Sequence, residues 1–305
     1  MNDTSCNNFQ ARFLPLIYGV EFCVALLSNL ISLWILVTRQ RNNWHIGVVL
    51  SCNLVISDLL YVFNLPLLID YSIIEKNWRF GEAACKIERF LFNCNLYVSI
   101  YFIMCISVTR YLAVAHPFFT RNNGSPAKAK VASVVVWIFV MAISSPVLMF
   151  ASICPARNKK HCVLTSYCAS FTKDVANSIL HYKVFLIVVG CTVPFLVTFV
   201  SYGGLLRVVW RNPNITSVEK RKVGLMVFAV VLLYAISFLP YHFTFNKSFI
   251  EQEYIDCWSY KTYQVSKGLV SMNMCIHPLL YVAVIDGVKM ACFGDRSADV
   301  AMINT

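Results

Sequence analysis

Seven long apolar stretches alternate with short polar segments along the chain. Each of the seven is long enough for an α-helix to cross the hydrocarbon core of a bilayer, which takes about 20 residues. The pattern therefore predicts an all-α membrane protein, a bundle of seven transmembrane helices. The stretches, called spans one to seven below, are residues 13–38, 46–70, 84–110, 129–152, 180–209, 222–245 and 264–285.

Composition agrees with this pattern. Apolar residues make up 58% of the chain and charged residues 13%, and the mean hydropathy of +0.63 is too high for a soluble chain of this length. Met1–Gln10 is polar, so we expect no cleavable signal peptide. No nucleophile–base pair or metal cluster occurs at a useful spacing, so we expect no enzyme and no cofactor. A nucleic acid partner is not expected either, and the odd number of spans argues against an inverted-repeat transporter.

Orientation rests on the ends of the first spans. The 26 Lys and Arg residues divide equally between the two sides, but Arg39 and Arg41 follow span one whereas only Arg12 precedes it. This bias predicts an N-terminus outside the cell, where the sequon at Asn2 is usable for glycosylation. We expect an extracellular segment 1–12, a transmembrane domain 13–285 and a cytoplasmic tail 286–305 with a short helix after the last span. An outer side this rich in basic residues suits an anionic extracellular ligand.

Cysteines agree with this orientation. Six of them would face the oxidising side of the membrane, where disulfide bonds persist. Several pairings are possible, and the sequence does not rank them. The six are Cys6, Cys85, Cys154, Cys162, Cys168 and Cys257.

Asp58 places a carboxylate in the middle of span two. An isolated charge at that depth is costly, so its partners must face the bundle interior. Asn29, Ser99 and Asn273 lie on spans one, three and seven and are candidate partners. The simplest interpretation is an interhelical hydrogen bond, worth about 1 kcal/mol.

Span three carries an arginine near each end. Arg89 and Arg110 are about 31 Å apart along an ideal helix, which matches the thickness of the hydrocarbon core. Arg110 alone fits equally well an ordinary anchor to lipid phosphates. Phe92, Asn93 and Tyr97 follow Arg89 at helical spacing, so the four residues share one face of the helix.

Several motifs resemble rhodopsin-like G-protein-coupled receptors over about residues 13–290. Arg110-Tyr111 with the following Ala-His-Pro-Phe is similar to the end of the family's third helix. The run from Asn273 through His277-Pro278 to Tyr281 resembles the family's Asn-Pro-x-x-Tyr element, with histidine in place of asparagine or aspartate. Prolines at the expected places in spans four, five and six complete the likeness. The resemblance implies coupling to a heterotrimeric G protein through these switch residues: Asp58, Arg110, Tyr111, Tyr202, Phe238, Pro240, His277, Pro278 and Tyr281.

The resemblance also implies that Asp58 helps to bind a sodium ion, with Ser99 and Asn273 as the other candidate ligands. Two departures bear on switching. Thr109 replaces the acid that usually precedes Arg110, and Lys220 stands where many relatives have a glutamate. We therefore expect no ionic clamp on Arg110, and a raised basal activity unless another hydrogen-bond network substitutes.

Basic residues at the cytoplasmic ends of spans five and six form a candidate docking rim for a G protein. Anchoring to the membrane surface is the alternative for each one taken singly. The rim consists of Arg207, Arg211, Lys220, Arg221 and Lys222, and Cys292 beyond the last span is a candidate palmitoylation site.

Within this family, the run from Glu82 to Tyr97 closely resembles the metabotropic purinergic receptors for extracellular nucleotides. Pro240-Tyr-His242 and the run from Tyr263 to Lys267 do so too, and the run Arg79–Cys85 with the end of span seven is most similar to the eleventh, ATP-responsive subtype. The resemblance implies a plasma-membrane receptor whose basic residues clasp the phosphates of the ligand. The implied ligand-binding residues are Arg89, Phe92, Asn93, Tyr97, Lys183, His242, Lys247, Gln264 and Lys267.

Span six departs from that pattern, because Phe245 stands where the family has a basic residue. Either Lys247 or Lys183 supplies the missing charge, or the ligand is another anion, such as a dicarboxylate or a lipid acid. A further alternative is that Arg89 and Lys267 pair with an acid such as Glu88 and bind no ligand. A transporter or channel is the alternative from a different class.

The resemblance finally implies two disulfide bonds on the outer side. One joins Cys85 to Cys168 and closes the roof of the pocket, and the second joins Cys6 to Cys257. Cys154 and Cys162 are then left to pair with each other.

Overall fold

In the computed structural model, the described residues of all seven apolar stretches lie mainly on helices. The structure describes residues 9–39, 45–74, 77–123, 125–157, 164–169, 176–250 and 257–278. Within them, the seventh stretch begins on helix Cys257–Ser271 and continues as helical residues 273–278. The predicted all-α bundle is confirmed, while the expected helix after the last span lies outside the described residues. Among the described residues, six helices are long and apolar enough to cross a membrane: Ala11–Thr38, Ile46–Ile73, Gly81–Ala115, Pro126–Phe150, Ile179–Arg211 and Ser217–Thr244.

Several spans are built from consecutive helical pieces, and one short β-hairpin joins spans four and five. Three of the pieces are π-helical turns, at Phe9–Phe13, Leu186–Thr192 and Tyr234–Phe238. The α-helices are Leu14–Arg39, Ile46–Val62, Leu65–Ile73, Gly81–Ala115, Pro117–Asn123, Pro126–Ser144, Pro146–Phe150, Ala176–Phe185, Val193–Arg211, Ser217–Leu233, Leu239–Ile250 and Cys257–Ser271, and the strands are β1 (Ser152–Arg157) and β2 (Leu164–Ala169).

Prolines explain the wide turns in spans five and six. Turn Leu186–Thr192 ends two residues before Pro194, and turn Tyr234–Phe238 ends two residues before Pro240. A proline has no N–H to donate and its ring collides with the carbonyl of the preceding turn, so the helix widens there. Backbone N–H groups just before each proline then donate to carbonyls five residues back rather than four. These are points at which the helices can bend.

Two helices extend beyond the predicted limits, and local capping accounts for one of them. The hydroxyl of Thr216 accepts a bond from the backbone of Glu219, whose carboxylate accepts one from the backbone of Thr216. This capping box starts the sixth helix at Ser217, five residues before the predicted start of span six. Span three is also longer than predicted, because it runs from Gly81 to Ala115.

The hairpin was not predicted, and span four ends at Phe150, two residues short of the expected limit. Strands β1 and β2 pair antiparallel, with Ile153 opposite Cys168. Cys168 forms a disulfide bond with Cys85 at the outer end of span three, as the family resemblance implied. This bond holds the hairpin over the outer end of the helix bundle.

Burial follows the rule for a protein in lipid. Large apolar side chains lie exposed along the outside of the bundle, among them Leu16, Val200 and Leu225. Polar groups lie inside: Asp58 and Glu88 are both 0% exposed. Because the bilayer cannot hydrate charges, these interior groups must bind one another or a ligand.

Candidate functional site

Span three presents the predicted face to the bundle interior. The fraction exposed is 4% for Phe92, 8% for Asn93 and 1% for Tyr97, and the side chain of Arg89 is 13% exposed. The helical spacing predicted that these residues share one face, and the structure turns that face inward. Asn93 donates its amide to the carbonyl of Arg89 at 2.9 Å, within its own helix.

A buried ion cluster occupies the outer part of the bundle. Nη1 of Arg89 lies 3.1 Å from Oε2 of Glu88, and Nζ of Lys267 donates to Oε1 of the same carboxylate at 3.4 Å. Nη2 of Arg89 also donates to the carbonyl of Cys168 at 3.0 Å. The two cations that the resemblance assigned to a ligand thus come from different helices and meet on one carboxylate. The same pairing is expected if the two cations bind no ligand at all. The contact by itself therefore does not distinguish a ligand site from a purely structural ion cluster.

Aromatic rings line the inner side of the cluster. Nζ of Lys267 lies 4.7 Å above the ring of Phe92, close enough for a cation–π contact. Phe92 in turn packs edge to face with Tyr61 and Tyr241, at 5.7 and 5.5 Å between ring centroids. Tyr241 packs against Tyr263 at 6.1 Å. Lys267 therefore lies on a group of packed rings, called the aromatic wall below, which consists of Phe92, Tyr61, Tyr241 and Tyr263.

Deeper in the bundle, Tyr97 contacts span six. Its hydroxyl lies 3.5 Å from Nε2 of His242, and Nδ1 of the same ring lies 2.7 Å from the carbonyl of Phe238. A carbonyl only accepts, so Nδ1 carries the proton, and in the neutral ring Nε2 accepts from Tyr97. Gly190 of span five makes room for the phenol, because a Cβ there would collide with the Tyr97 ring.

The remaining predicted ligand residues are placed less completely. Gln264 is half-buried, three residues before Lys267, and Lys183 is 3% exposed on helix Ala176–Phe185. Phe245 and Lys247 lie on helix Leu239–Ile250, but their side chains are outside the described residues. Which residue supplies the charge on span six remains a prediction.

One acidic residue of the interior was not predicted from the sequence. Glu21 of span one is 2% exposed, and its Oε2 accepts a hydrogen bond from Ser271 at 2.8 Å. Ser271 lies one turn beyond Lys267 on the seventh helix. The signal was available, since a carboxylate inside an apolar stretch needs a partner just as Asp58 does.

Asp58 has two nitrogen partners. Oδ2 lies 2.8 Å from Nδ1 of His277, and Oδ1 accepts the amide of Asn95 at 3.0 Å. The predicted partner Asn29 donates to the backbone carbonyl of Met274, while Asn273 accepts from a serine of span six, Ser237. His277 thus belongs to the Asp58 site, but the sequence did not predict the role of Asn95.

These contacts fit a sodium ion poorly. Sodium is bound by oxygen atoms, and here N–H groups lie on both oxygens of Asp58. The hydroxyl of Ser99 has no hydrogen-bond partner in the described part of the chain, so one oxygen of the implied set is available. Among the described residues there is no group of three or more His, Cys, Asp or Glu that could hold a metal ion.

At the cytoplasmic end, the two residues that depart from the family pattern, Thr109 and Lys220, offer no carboxylate to Arg110. The Thr109 hydroxyl donates to the carbonyl of Ile106 in its own helix, and Lys220 donates to the carbonyl of Trp210. Tyr202 is 2% exposed there. Burial, and then the nearby charge of Arg110, lowers the pKa of His45.

Two residues of the predicted basic rim line an open groove of about 570 Å³ between spans five and six. The rest of the groove is mainly apolar, and it lies where helix Ser217–Leu233 begins. The lining residues are Trp210, Ser217, Lys220, Arg221, Gly224, Leu225 and Phe228.

Some predicted sites fall outside the described residues. Cys257 starts the seventh helix and Cys154 lies in strand β1, but neither side chain is described. The Cys6–Cys257 bond and any pairing of Cys154 therefore stay predictions. The same holds for Asn2, Cys162, Tyr281 and Cys292.

Comparison with known proteins gives two kinds of similarity. Residues 28–281 match the family described as "7 transmembrane receptor (rhodopsin family)". Human purinoceptor 11 is 36% identical over 313 aligned residues, which cover 95% of this chain and 84% of the human protein. Chicken purinoceptor 1 is 34% identical over 90% of this chain and 76% of its own length, and human purinoceptor 1 is 32% identical over 90% and 74%.

Proposed function

Because the chain belongs to the rhodopsin family of seven-transmembrane receptors and, within it, to the purinoceptors, we propose that it binds an extracellular nucleotide and activates a heterotrimeric G protein. The expected class is confirmed: the protein is a multi-pass receptor of the plasma membrane and not an enzyme, a transporter or a channel. The proposed ligand is ATP or a nucleotide of similar charge. Two observations support this choice, the 36% identity to human purinoceptor 11 and the motifs that resemble the ATP-responsive subtype.

Once the family is known, the observation that carries this proposal is the convergence of Arg89 and Lys267 on the Glu88 carboxylate. A carboxylate and a phosphate present similar pairs of oxygen atoms to a guanidinium. Arg89 offers a planar fork and Lys267 a point charge, which together suit a chain of phosphates. Glu88 therefore occupies the positions at which we place phosphate oxygens of the ligand.

Charge separation explains why a polyphosphate suits this site. A ligand that takes Arg89 and Lys267 from Glu88 must compensate for the contacts that Glu88 loses, because an unpaired buried charge costs several kcal/mol. A triphosphate brings several charged oxygens and can bind both cations at once. A monophosphate brings fewer, so we expect it to be a weaker ligand.

The aromatic wall supports a place for the base. Phe92, Tyr241 and Tyr263 lie next to the cations and offer ring faces and edges for stacking. We therefore propose that the base lies below the phosphates, toward Tyr97. The phosphates would then enter from water beneath the hairpin that the Cys85–Cys168 bond holds.

A short chain of contacts leads from this pocket to the bend in span six. Tyr97 contacts His242, and His242 donates to the carbonyl of Phe238 at the wide turn before Pro240. A ligand that displaces Tyr97 would change the hydrogen bonding of this turn. Because the turn can bend, such a change would move the cytoplasmic half of span six, next to the groove lined by Lys220 and Arg221.

A second candidate is a receptor of the same fold for another anion, a dicarboxylate or a lipid acid. Phe245 favours it, since span six lacks a basic residue at the position that the nucleotide-binding relatives use. In this case one carboxylate of the ligand would replace Glu88, and the aromatic wall would hold its apolar part.

The two candidates are separated by a panel of nucleotides, dicarboxylates and lipid acids, measured in cells with calcium and cyclic-AMP readouts. Nucleotide responses should weaken on the order of a hundredfold in Arg89→Ala and in Lys267→Ala. Arg79→Ala is the matched control, because its ion pair with Asp70 lies at the exposed outer surface. If both inner variants respond to nucleotides as the parent does, and a dicarboxylate or lipid acid activates the parent, the nucleotide assignment is wrong.

A further inference from the structure

Glu21 lies beside the lysine that the proposed function assigns to the ligand. Its Oε2 accepts from Ser271 at 2.8 Å, while Oε1 has no hydrogen-bond partner in the described part of the chain. A Cβ added at Gly268 would lie 4.0 Å from Oε1, so the seventh helix approaches span one closely at this level. A carboxylate buried in a membrane protein and bound by one hydroxyl alone requires an explanation.

The charges of the cluster explain its presence. Two carboxylates, Glu21 and Glu88, face two cations, Arg89 and Lys267, so the ionised cluster has no net charge. Glu88 contacts both cations directly, whereas Glu21 contacts neither of them directly among the described residues. An anionic ligand that binds the two cations adds negative charge to a region of low dielectric constant. Of the two carboxylates, Glu21 then has the negative charge that is less well balanced by nearby cations.

We infer that Glu21 is a positioning residue of the ligand site, which faces Lys267 from span one and takes up a proton from extracellular water when an anionic ligand binds Arg89 and Lys267. This inference rests on the proposed function. The proton neutralises Glu21 when Lys267 forms its ion pair with the ligand. Glu21 therefore sets how much negative charge the ligand can bring into the pocket.

The other groups near Glu21 do not take this role. Ser271 donates its hydroxyl to Glu21, and the titratable groups near it are Tyr18 of span one, Tyr61 of span two, and Lys267 and Cys275 of the seventh helix. Apart from Lys267 these groups are neutral, so they have no negative charge for a proton to remove. Glu88 and Arg89 belong to the same cluster through Lys267, and Cys275 also lies near Asp58.

Proton uptake on binding makes the apparent affinity of the ligand rise as pH falls. Linkage of one proton changes the affinity by at most about tenfold per pH unit. Glu21→Gln imitates the protonated carboxyl group, since it keeps the shape and an oxygen for Ser271 but removes the charge. This variant should bind the anion tightly at every pH.

The test is a series of ATP concentration–response curves at several values of extracellular pH between about 6 and 8.5. The parent is compared with Glu21→Gln and with Glu82→Gln, whose carboxylate lies exposed at the outer end of span three and pairs with Lys86. The phosphates of ATP titrate in the same range, but they do so equally for all receptors, so the ratio of potencies removes their effect. Near the alkaline limit we expect Glu21→Gln to be about tenfold more potent than the parent, and near the acidic limit we expect equal potencies. Glu82→Gln should follow the parent throughout.

A constant ratio of Glu21→Gln to parent across this range would overturn the inference. Should Glu21→Gln fail to reach the cell surface, Ser271→Ala gives a second test. Loss of the hydroxyl that stabilises the carboxylate should move the midpoint of the potency–pH curve upward, and an unchanged or lower midpoint would overturn the inference. Failure of the proposed function looks different, because Arg89→Ala and Lys267→Ala would then leave the ATP potency unchanged at every pH.

Discussion

The imidazole of His277 is bound to the carboxylate of Asp58, with 2.8 Å between Nδ1 and Oδ2. Both side chains are completely buried, and the contact joins the seventh helix to span two. Related receptors have an asparagine or aspartate at this position of the seventh helix. An N–H group therefore lies where those receptors can place an oxygen atom, which changes what the Asp58 site can bind.

We expect sodium to have little effect on agonist affinity in this receptor. His277 and Asn95 already bind the two oxygens of Asp58, so a cation would have to displace them. His277→Asp should strengthen the sodium effect, because it restores an oxygen ligand and a negative charge. The measurement is agonist affinity in sodium and in choline buffers of equal ionic strength. A large sodium effect in the unmodified receptor would contradict this prediction.

The disulfide roof gives a second prediction. Cys85→Ser and Cys168→Ser should each abolish the response to ligand, since Arg89 also donates to the Cys168 carbonyl and loses this support when the hairpin moves. The double variant should be no worse than either single one, because a shared bond is lost only once. Surface expression and G-protein activation are measured together for all three. Strong signalling by Cys168→Ser would show that the roof is not needed.

Basal activity gives a third prediction. Thr109 and Lys220 have no carboxylate to offer Arg110, whereas in the family that the sequence resembles an acid near this arginine stabilises the inactive state. Both side chains donate to backbone carbonyls instead. Thr109→Asp should lower signalling in the absence of agonist, and a contact worth about 1.4 kcal/mol shifts a two-state ratio tenfold. Thr109→Asn is the control, because asparagine has the shape of aspartate but no charge. Equal or higher basal signalling in Thr109→Asp at equal surface expression would contradict the idea of a missing clamp.

Neighbouring glycines on span five give a fourth prediction, on the packing around Tyr111. A Cβ at Gly204 would lie 2.6 Å from Cε2 of Tyr111, whereas nothing lies within 4 Å of one at Gly203. Gly204→Ala must therefore displace the Tyr111 ring, at a cost of about 1–3 kcal/mol. The melting temperature in detergent should fall by several degrees for Gly204→Ala and stay level or rise for Gly203→Ala. Equal melting temperatures would show that the ring yields without cost.

Much of this fold follows from the sequence because the bilayer imposes a length on every span. The ends of the spans are less predictable, since they depend on local bonds such as the Thr216–Glu219 capping box, which moved the start of span six to Ser217. The hairpin Ser152–Arg157 with Leu164–Ala169 was missed altogether. Its pairing depends on the disulfide bond to Cys85 and on contacts distant in sequence, for which an apolar pattern carries no signal.

The grouping of interior residues on one helix was predictable, whereas the pairing between helices was not. Helical spacing placed Phe92 and Tyr97 on one face of span three, and the structure buries that face. The sequence named Glu88 as only one possible partner of Arg89 and Lys267, and it did not name Asn95 as a partner of Asp58. Such pairings depend on the rotation of each helix against its neighbours, which the packing of small and large side chains sets.

The last prediction concerns the charge that span six lacks. Phe245 stands where the sequence resemblance leads us to expect a basic residue, and under the proposed function the phosphates bind Arg89 and Lys267, with Lys247 or Lys183 as the candidate for a further charge. Phe245→Arg adds a third cation at the outer end of span six, and a triphosphate has more charge to offer it than a monophosphate. We therefore expect the potency of ATP to rise about tenfold, and that of AMP by less, as one further charge-assisted contact of about 1.4 kcal/mol implies. Phe245→Leu, which removes the ring without adding charge, is the control, measured with the same G-protein readout. If Phe245→Arg and Phe245→Leu change the ratio of ATP to AMP potency equally, span six does not face the phosphates, and the anion is held by spans three and seven alone.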